Sequence, residues 1–445
     1  MKQLCSSTQA EEPMSHSNHL EITATAAFAA RQAILTPDGT VLGYELLWRR
    51  NLGDTESSVI DNYDATVRAL SAVALNIGWT RFFEGALAFV NVDIDFVEKR
   101  LFFAMPARTT VLEIAAVDEL NARQRHALAE ARHHGYAIAW DNVHHPADPR
   151  LEFARPADYV KINFRQTTFE AAVSIVETCL ARHIKPILYE IEDEAEQAFF
   201  EAKGVSAIQG NYLQRSEMRV NTALPRPPVA LLHEFRRILA LGRPVADCVA
   251  FVEHCPELFL ALLMLTDVAW QEHWPYPNTI EQLLRGLSRA TLAAWLDLMV
   301  HQLYREPAQR RNSWAISFLQ PAIFARLILR QVDSYEPQIQ DEAYMMGFVS
   351  QVLSTYPDLV DGNDAPIHLG RALSPIVGAE RSPLLRVFNY VSGVSRAKSQ
   401  GDFSEVILPP AVAALLAESQ TCAIEAATTA ITAVAATCDV LADSA

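Results

Sequence analysis

Seven short apolar runs in the first half of the chain each close on a side chain that carries a charge or an amide. The closing residues are Glu45, Asn91, Glu113, Asp141, Lys161, Glu190 and Gln209. Runs such as 87–90 and 136–140 are apolar throughout, which is typical of strands covered on both faces. Segments long enough for helices, at 61–78, 118–134 and 166–183, lie between the runs. The alternation predicts a parallel sheet with helices on its faces.

A closed sheet of this kind is a TIM-like (β/α) barrel, which gathers the carboxyl ends of its strands at one rim. The polar residues that close the runs would then converge on one cavity, where barrels of this fold carry out chemistry. A plainer interpretation stays open, because any parallel barrel leaves polar side chains at its strand ends.

The sequence around the first run resembles the EAL domain of bacterial cyclic di-GMP signalling. The resemblance is carried by Glu-x-Leu-x-Arg at 45–49, by Arg31 to Leu35 and by the turn at Asp38-Gly39. It continues in the family's order through Phe89-Val90-Asn91, Leu112-Glu113-Ile114, Asp141, Val160-Lys161-Ile162, Glu190 and Gln209-Gly210-Asn211-Tyr212. The matching stretch has the size of a complete barrel, and we predict an EAL-like barrel domain at 23–217.

The resemblance implies a two-metal phosphodiesterase that linearises cyclic di-GMP. Magnesium or manganese, hard cations suited to phosphate chemistry, would be held by oxygen ligands on Glu45, Asn91, Glu113 and Asp141. By the same resemblance Lys161 and Glu190 are catalytic, since they would orient and deprotonate the attacking water. Arg49 and Gln209 would contact the substrate, and the planar donors of a guanidinium match phosphate oxygens well.

Departures from the family pattern cluster around the second metal ion. Asn142 stands where the family has the second of two aspartates, and Ala116 replaces a glutamate three residues after Glu113. Asn163 replaces another aspartate, and 191–193 departs from the usual Gly-Val-Glu. Two-metal catalysis falls steeply when either ion is lost or displaced. We therefore predict a degenerate site that binds cyclic di-GMP with feeble hydrolysis or none, with or without metal. The alternative is an active phosphodiesterase that depends on magnesium or manganese.

Other interpretations of the candidate residues stay open. Lys161 and Glu190 could pair with each other, and Arg49 could be an ordinary surface cation, since charged side chains are mostly exposed. Histidines at 133, 134, 144 and 145 suggest a transition-metal site. Against that, adjacent residues point apart, and no spaced cysteine or carboxylate completes a ligand set.

Beyond Arg215 the pattern changes from alternating strands and helices to helices alone. A proline-rich segment at 218–228 is the predicted linker, and apolar residues at helical spacing follow it. The segments His254–Leu258, Asn278–Leu287 and Asp341–Phe348 resemble the HDOD domain, a helical relative of the HD phosphohydrolases without their metal ligands. We predict an HDOD-like domain at 229–415 that contacts other signalling proteins. A generic helical bundle is the plainer alternative.

Composition agrees with a cytoplasmic protein of two domains. The chain has 445 residues, half of them apolar, so each domain can have its own core. A formal charge of −16 argues against direct binding of nucleic acid, which needs a basic face. Six scattered cysteines are typical of reduced thiols. An EAL domain followed by an HDOD domain is itself an arrangement found in bacterial signalling regulators, and the pairing supports both resemblances.

The two ends of the chain are predicted to lie outside the domains. Residues 1–22 are polar without an apolar core, which predicts a disordered lead-in and no membrane span. The Ala- and Thr-rich segment 416–445 is predicted to be a terminal helix or a frayed tail. As a helix it would pack on the bundle or on a second copy of the chain, in a homodimer.

Overall fold

The coordinates, a computed structural model, cover most of both predicted domains. The described residues are 26–48, 62–115, 117, 119–153, 157–191, 194–210, 213, 216–269, 275–305, 312–331, 336–360, 365–370, 373, 383–400 and 409–442. Arg49, Ala116 and the predicted lead-in at 1–22 lie outside them.

Among the described residues of the N-terminal half, eight strands close into a barrel and a ninth extends the sheet. The strands are β1 (Ala26–Leu35), β2 (Val41–Leu47), β3 (Leu87–Val92), β4 (Thr110–Ile114), β5 (Ala137–Val143), β6 (Tyr159–Asn163), β7 (Lys185–Tyr189), β8 (Ala207–Gln209) and β9 (Glu217–Thr222). Strands β2 to β8 pair in sequence order, and β1 joins β2 to β8. The predicted TIM-like barrel is thereby confirmed.

The predicted parallel sheet is observed from β2 to β8. Strand β1, which was not among the seven predicted runs, pairs antiparallel with both β2 and β8. A short turn joins β1 to β2, and within it Gly39 adopts a φ of +81° while the Thr36 amide donates to the Thr40 carbonyl at 2.9 Å. So short a connection permits only an antiparallel hairpin, because a parallel pair needs a long crossover.

Helices cover the outside of the barrel. They are α1 (Asn62–Ala72), α2 (Trp79–Phe83), α3 (Ile94–Glu98), α4 (Ala122–His133), α5 (Phe169–Ala181) and α6 (Glu194–Ala202). The helices predicted between the runs are confirmed, although a π-helical turn at Val73–Ile77 follows α1. Helix α4 begins at a capping box, in which Asn121 and Gln124 each accept a hydrogen bond from the other's backbone amide.

The alternation of inward- and outward-facing side chains along the strands places the polar rim one layer above an apolar layer in the barrel interior. An apolar layer fills the barrel interior with Ile34, Phe89, Val111, Ala139, Tyr159, Ile187 and Ala207. Strand side chains alternate with a period of two, so the inward face carries its next side chain two residues further along. Those next positions include Asn91, Glu113, Asp141, Lys161 and Gln209. The apolar layer therefore closes the barrel directly beneath the polar residues.

Strand β9 extends the barrel sheet into the predicted linker. It pairs antiparallel with β1, with Glu217 opposite Arg31 and Thr222 opposite Ala26. The first residues of the predicted linker, 218–222, therefore belong to the barrel sheet. The prolines that suggested a linker begin only at Pro225, so they do not interrupt this strand.

The C-terminal half is helical, as predicted. Its helices are α7 (Val229–Ala240), α8 (Val245–Glu253), α9 (Pro256–Met264), α10 (Thr266–Ala269), α11 (Ile280–Gly286), α12 (Arg289–Arg305), α13 (Asn312–Arg330), α14 (Pro337–Thr355), α15 (Pro383–Gln400) and α16 (Pro410–Ala442). The predicted boundary at 415/416 falls inside α16. Alanine favours helix on both sides of it, and neither glycine nor proline occurs between 411 and 442.

The two halves meet at a seam where apolar packing is joined by specific polar contacts. Asp267 of α10 accepts hydrogen bonds from the Thr80 amide at 3.0 Å and from Thr80 Oγ1 at 2.6 Å, at the start of α2. The side chain of Asn76, in the π-helical turn, accepts a hydrogen bond from the Leu224 amide at 2.8 Å. One apolar core runs continuously from the barrel helices into the bundle.

No single helix in the described part of the chain is long and apolar enough to cross a bilayer. Helix α8 and the segment Pro256–Val268 meet that criterion only as a pair bent by 112°.

Arg31 ties β1 to its surroundings through a buried guanidinium. Its side chain is 2% exposed, and Nη2 lies 2.6 Å from Glu84 Oε1 and 3.2 Å from Glu217 Oε2. The guanidinium carbon lies 3.9 Å from the centre of the Tyr44 ring. Replacement by methionine keeps the apolar stem but removes the charge and its donors. We expect Arg31→Met to lower the free energy of unfolding by about 2 kcal/mol, because these contacts are partly buried.

Urea denaturation would measure this loss. Arg219→Met is the matched control, since Arg219 contacts the same two carboxylates from a side chain that is 45% exposed. Its effect should stay below about 0.5 kcal/mol. Equal effects of the two substitutions would contradict a structural role for the buried guanidinium.

Candidate functional site

Lys161 lies at the centre of the polar rim. Its Nζ is 2.9 Å from Glu45 Oε2, 2.7 Å from Glu113 Oε1 and 3.9 Å from Asp141 Oδ1. Lys161 is 1% exposed and Glu113 is completely buried. Four side chains from strands β2, β4, β5 and β6 thus form one ionic group, which we call the rim cluster: Glu45, Glu113, Asp141 and Lys161.

Two amides complete the surroundings of Glu45. Asn91 Nδ2 donates to Glu45 Oε1 at 2.7 Å, and Gln209 Nε2 donates to Glu45 Oε2 at 2.7 Å. Gln209 also donates to Oε1 of Gln32, on β1, at 3.0 Å. Sequence reasoning missed Gln32, because β1 does not end on a polar side chain. The structure therefore brings six of the predicted site residues together at the rim, namely Glu45, Asn91, Glu113, Asp141, Lys161 and Gln209.

Burial and neighbouring charges shift the pKa values of the rim cluster in opposite directions. Burial favours a neutral Lys161, but the surrounding carboxylates outweigh it and hold the pKa of Lys161 well above its usual value. Burial raises the pKa of Glu113 strongly and also raises that of Asp141, and Lys161 offsets only part of this. Burial likewise opposes ionisation of Glu45, but Lys161 and the donated amide hydrogens outweigh it and lower the pKa of Glu45. Glu113 and Asp141 are therefore the carboxylates that most need a further cation or a proton.

The donor set at the rim suits a divalent ion. Carboxylate and amide oxygens are the ligands that hard cations prefer, and the rim offers them on Glu45, Asn91, Glu113 and Asp141. Oε2 of Glu113 is buried and has no hydrogen-bond partner among the described residues. The residues present thus fit one ion chemically. The Lys161 ammonium competes for the same oxygens, and no three His, Cys, Asp or Glu side chains in the described ranges are arranged around an ion site.

A neutral hydrogen-bonded group occupies the rim beside the cluster. Oδ1 of Asn142 accepts hydrogen bonds from Asn163 Nδ2 at 3.1 Å and from the Tyr189 hydroxyl at 3.0 Å. Asn142 has a φ of +53°, which asparagine tolerates better than most residues. We call these three residues the neutral triad. Because its members satisfy each other without charge, the triad offers a second cation no anionic ligand.

Glu190 forms no ion pair with Lys161 among the described residues. It is exposed, directly after β7, with a φ of +62°. The alternative in which Glu190 pairs with Lys161 is wrong, since Lys161 contacts Glu45 and Glu113 instead. Tyr189 takes the position on β7 that faces the rim, and its ring centre lies 5.2 Å from Lys161 Nζ. Sequence reasoning missed Tyr189, although period-two alternation from the inward-facing Ile187 would have identified it.

The histidines near β5 make local contacts. Nδ1 of His144 lies 3.1 Å from the carbonyl oxygen of Asn142, and Nδ1 of His145 accepts a hydrogen bond from the Ala147 amide at 3.1 Å. Neither takes part in a potential metal-binding group in the part of the chain that is described.

Fold and rim together define a (β/α) barrel with a lysine-centred acidic site at its strand ends. No family model matches the chain. The chain is 25% identical over 229 residues to cyclic di-GMP phosphodiesterase CdgJ of Vibrio cholerae, which covers 51% of this chain and 52% of CdgJ. It is 28% identical over 201 residues to the uncharacterized protein YuxH of Bacillus subtilis, covering 43% of this chain and 47% of YuxH. The chain thus spans about half the length of the curated relatives it matches.

Solved structures provide one further comparison. The EAL domain protein from Listeria monocytogenes aligns with a TM-score of 0.33 and 16% sequence identity, over 43% of this chain and 88% of that protein.

Proposed function

We propose that the barrel is a degenerate EAL-type module that binds cyclic di-GMP and hydrolyses it feebly or not at all. The observation that carries this proposal is the contrast between two neighbouring parts of the rim. The rim cluster offers carboxylate oxygens that suit one cation, and Glu113 Oε2 has no hydrogen-bond partner among the described residues. The neutral triad provides hydrogen bonds where Asn142 and Asn163 replace family aspartates. Similarity to the phosphodiesterase CdgJ supports the choice of nucleotide.

In this proposal the rim residues have distinct tasks. Glu45, Asn91, Glu113 and Asp141 would hold one magnesium or manganese ion, which neutralises phosphate charge when it is bound. Gln209 orients Glu45 by its hydrogen bond and, together with Arg49, contacts the nucleotide. Lys161 balances the carboxylates when no metal is bound, and with Glu190 it would serve as a vestige of the water-activating machinery.

The helical half would then serve as an HDOD-like domain that contacts other signalling proteins in the cytoplasm, as a monomer or a homodimer. Two of the family-like segments meet in the fold, which supports this assignment. The hydroxyl of Tyr344, in segment 341–348, donates to the Glu253 carbonyl beside segment 254–258 at 2.7 Å. Arg326 links Glu253 to Asp341, with its Nη2 at 3.2 Å from Asp341 Oδ1.

Calorimetric titration of the whole chain with cyclic di-GMP, in magnesium, tests the proposal. We expect a dissociation constant tighter than about 1 mM, together with little turnover. Gln209→Ala should weaken binding at least about tenfold, because it removes a donor from Glu45 and a wall of the site. Gln197→Ala on α6, which loses only a hydrogen bond to Glu201, is the matched control and should bind as the unaltered protein does. Binding weaker than about 1 mM would remove the receptor function.

An active phosphodiesterase is the second candidate, and the identity with CdgJ favours it. Turnover of cyclic di-GMP with added manganese, abolished by Glu45→Ala, would establish hydrolysis and overturn the degenerate assignment.

A further inference from the structure

A cavity of about 380 Å³ lies in the helical half, between α13, α14, α15 and α16. Its inner wall is buried and includes Gln320, Phe324, Val391 and Val394. The end of α14 forms the mouth, where Ser354 is exposed. The volume equals that of about a dozen water molecules, at roughly 30 Å³ each. It falls within the range of small-molecule sites, which bundles commonly hold between their helices.

The lining is uncharged. Its members are Ser317, Gln320, Pro321, Phe324, Gln351, Ser354, Thr355, Val391, Val394, Ser395 and Leu416, and none of these described residues carries a charge. A phosphate or carboxylate placed here would lose its hydration without gaining a counter-charge, which costs several kcal/mol. The cavity therefore selects against nucleotides, including the one proposed for the barrel.

One polar group in the lining lacks a partner. Oγ of Ser395, a residue that is 6% exposed, has no hydrogen-bond partner among the described residues. Leaving a buried polar group unpaired costs about 1–3 kcal/mol. A ligand with one hydroxyl or carbonyl group could supply that partner.

We infer that this cavity is a binding site for an uncharged, mainly apolar small molecule that carries a single hydroxyl or carbonyl group. The apolar body contacts Phe324, Val391 and Val394, and the polar group pairs with Ser395. The inference is independent of the function proposed for the barrel, because no rim residue lines the cavity.

Calorimetric titration of the full chain with n-octanol and, at pH 8, with n-octanoate tests the inference. The two probes share one chain and differ in charge. We expect saturable binding of one n-octanol per chain, with n-octanoate at least about tenfold weaker. Ser395→Ala should weaken n-octanol binding about fivefold, the effect of one hydrogen bond. Ser392→Ala on the same helix, whose hydroxyl lies 3.3 Å from Ser350 Oγ, should leave binding unchanged.

Ser354→Trp blocks the mouth from an exposed position, so it should abolish binding while the fold persists. Circular dichroism would verify the fold. Absence of saturable n-octanol binding would overturn the inference, and so would n-octanoate binding of equal strength. Undiminished binding to Ser354→Trp would place the probe elsewhere and would also overturn it.

Discussion

Replacing Lys161 with methionine is expected to lower the free energy of unfolding by about 4 kcal/mol, because it leaves buried carboxylates without their cation. The loss should be greatest near neutral pH. Burial already raises the pKa of Glu113 and Asp141, and removal of the ammonium would raise both further. A carboxyl group whose pKa is higher in the folded state binds protons more tightly when folded, so stability falls as pH rises through that range. The deficit should therefore shrink as the pH is lowered.

Urea denaturation at several pH values would measure this deficit. Lys185→Met, at the exposed start of the neighbouring strand β7, is the matched control and should change stability by less than about 0.5 kcal/mol. Magnesium should stabilise Lys161→Met more than the unaltered protein, since the ion no longer competes with the ammonium. A small deficit that does not change with pH would contradict the central place of Lys161 in the rim cluster.

The double substitution Asn142→Asp with Asn163→Asp is expected to make the stability of the barrel depend on divalent ions. Asn163 Nδ2 lies 3.1 Å from Asn142 Oδ1, so two carboxylates would replace a hydrogen bond with repulsion between like charges. Without metal at pH 8 we expect a loss of about 3 kcal/mol in the free energy of unfolding. Manganese should restore most of it, because the cation neutralises both groups.

Thermal denaturation with manganese or with a chelator would report this dependence without relying on activity. Asn121→Asp is the control, because aspartate can still cap α4 and the hydrogen bonds of Asn121 are made with Gln124 instead of with the neutral triad. If manganese shifted the double variant no more than the control, the neutral triad would not be the remnant of a second cation site.

The barrel could be predicted from sequence because its signals are local. Strand runs such as 87–90 and 136–140 show continuous apolar character, and the helices between them have sufficient length. The antiparallel orientation of β1 was not predicted, although the short turn to β2 that dictates it is itself a local signal. Strand β9 was missed although its sequence, Glu-Met-Arg-Val-Asn-Thr, alternates between polar and apolar residues over its first five positions. Its place in the sheet depends on pairing with β1, which joins residues far apart in the chain.

The composition of the candidate site was easier to predict than its geometry. Period-two alternation brought Glu45, Glu113 and Lys161 to one rim, but only the fold shows that Lys161 is surrounded by carboxylates from other strands. Glu190 lay one position away from the inward face, which Tyr189 occupies. The prediction considered only charged and amide side chains at the ends of the apolar runs. It therefore missed Tyr189, which occupies the inward-facing position at the end of β7.

Strand β9 belongs to the barrel sheet, although it extends beyond the predicted end of the barrel domain. A fragment that ends at residue 217 keeps every rim residue but leaves the outer edge of β1 without a neighbour, and exposed strand edges recruit other chains. Without the bundle, the barrel surface that packs against it would also be exposed to solvent. A fragment that is to keep the whole sheet of the barrel must therefore extend at least to residue 222.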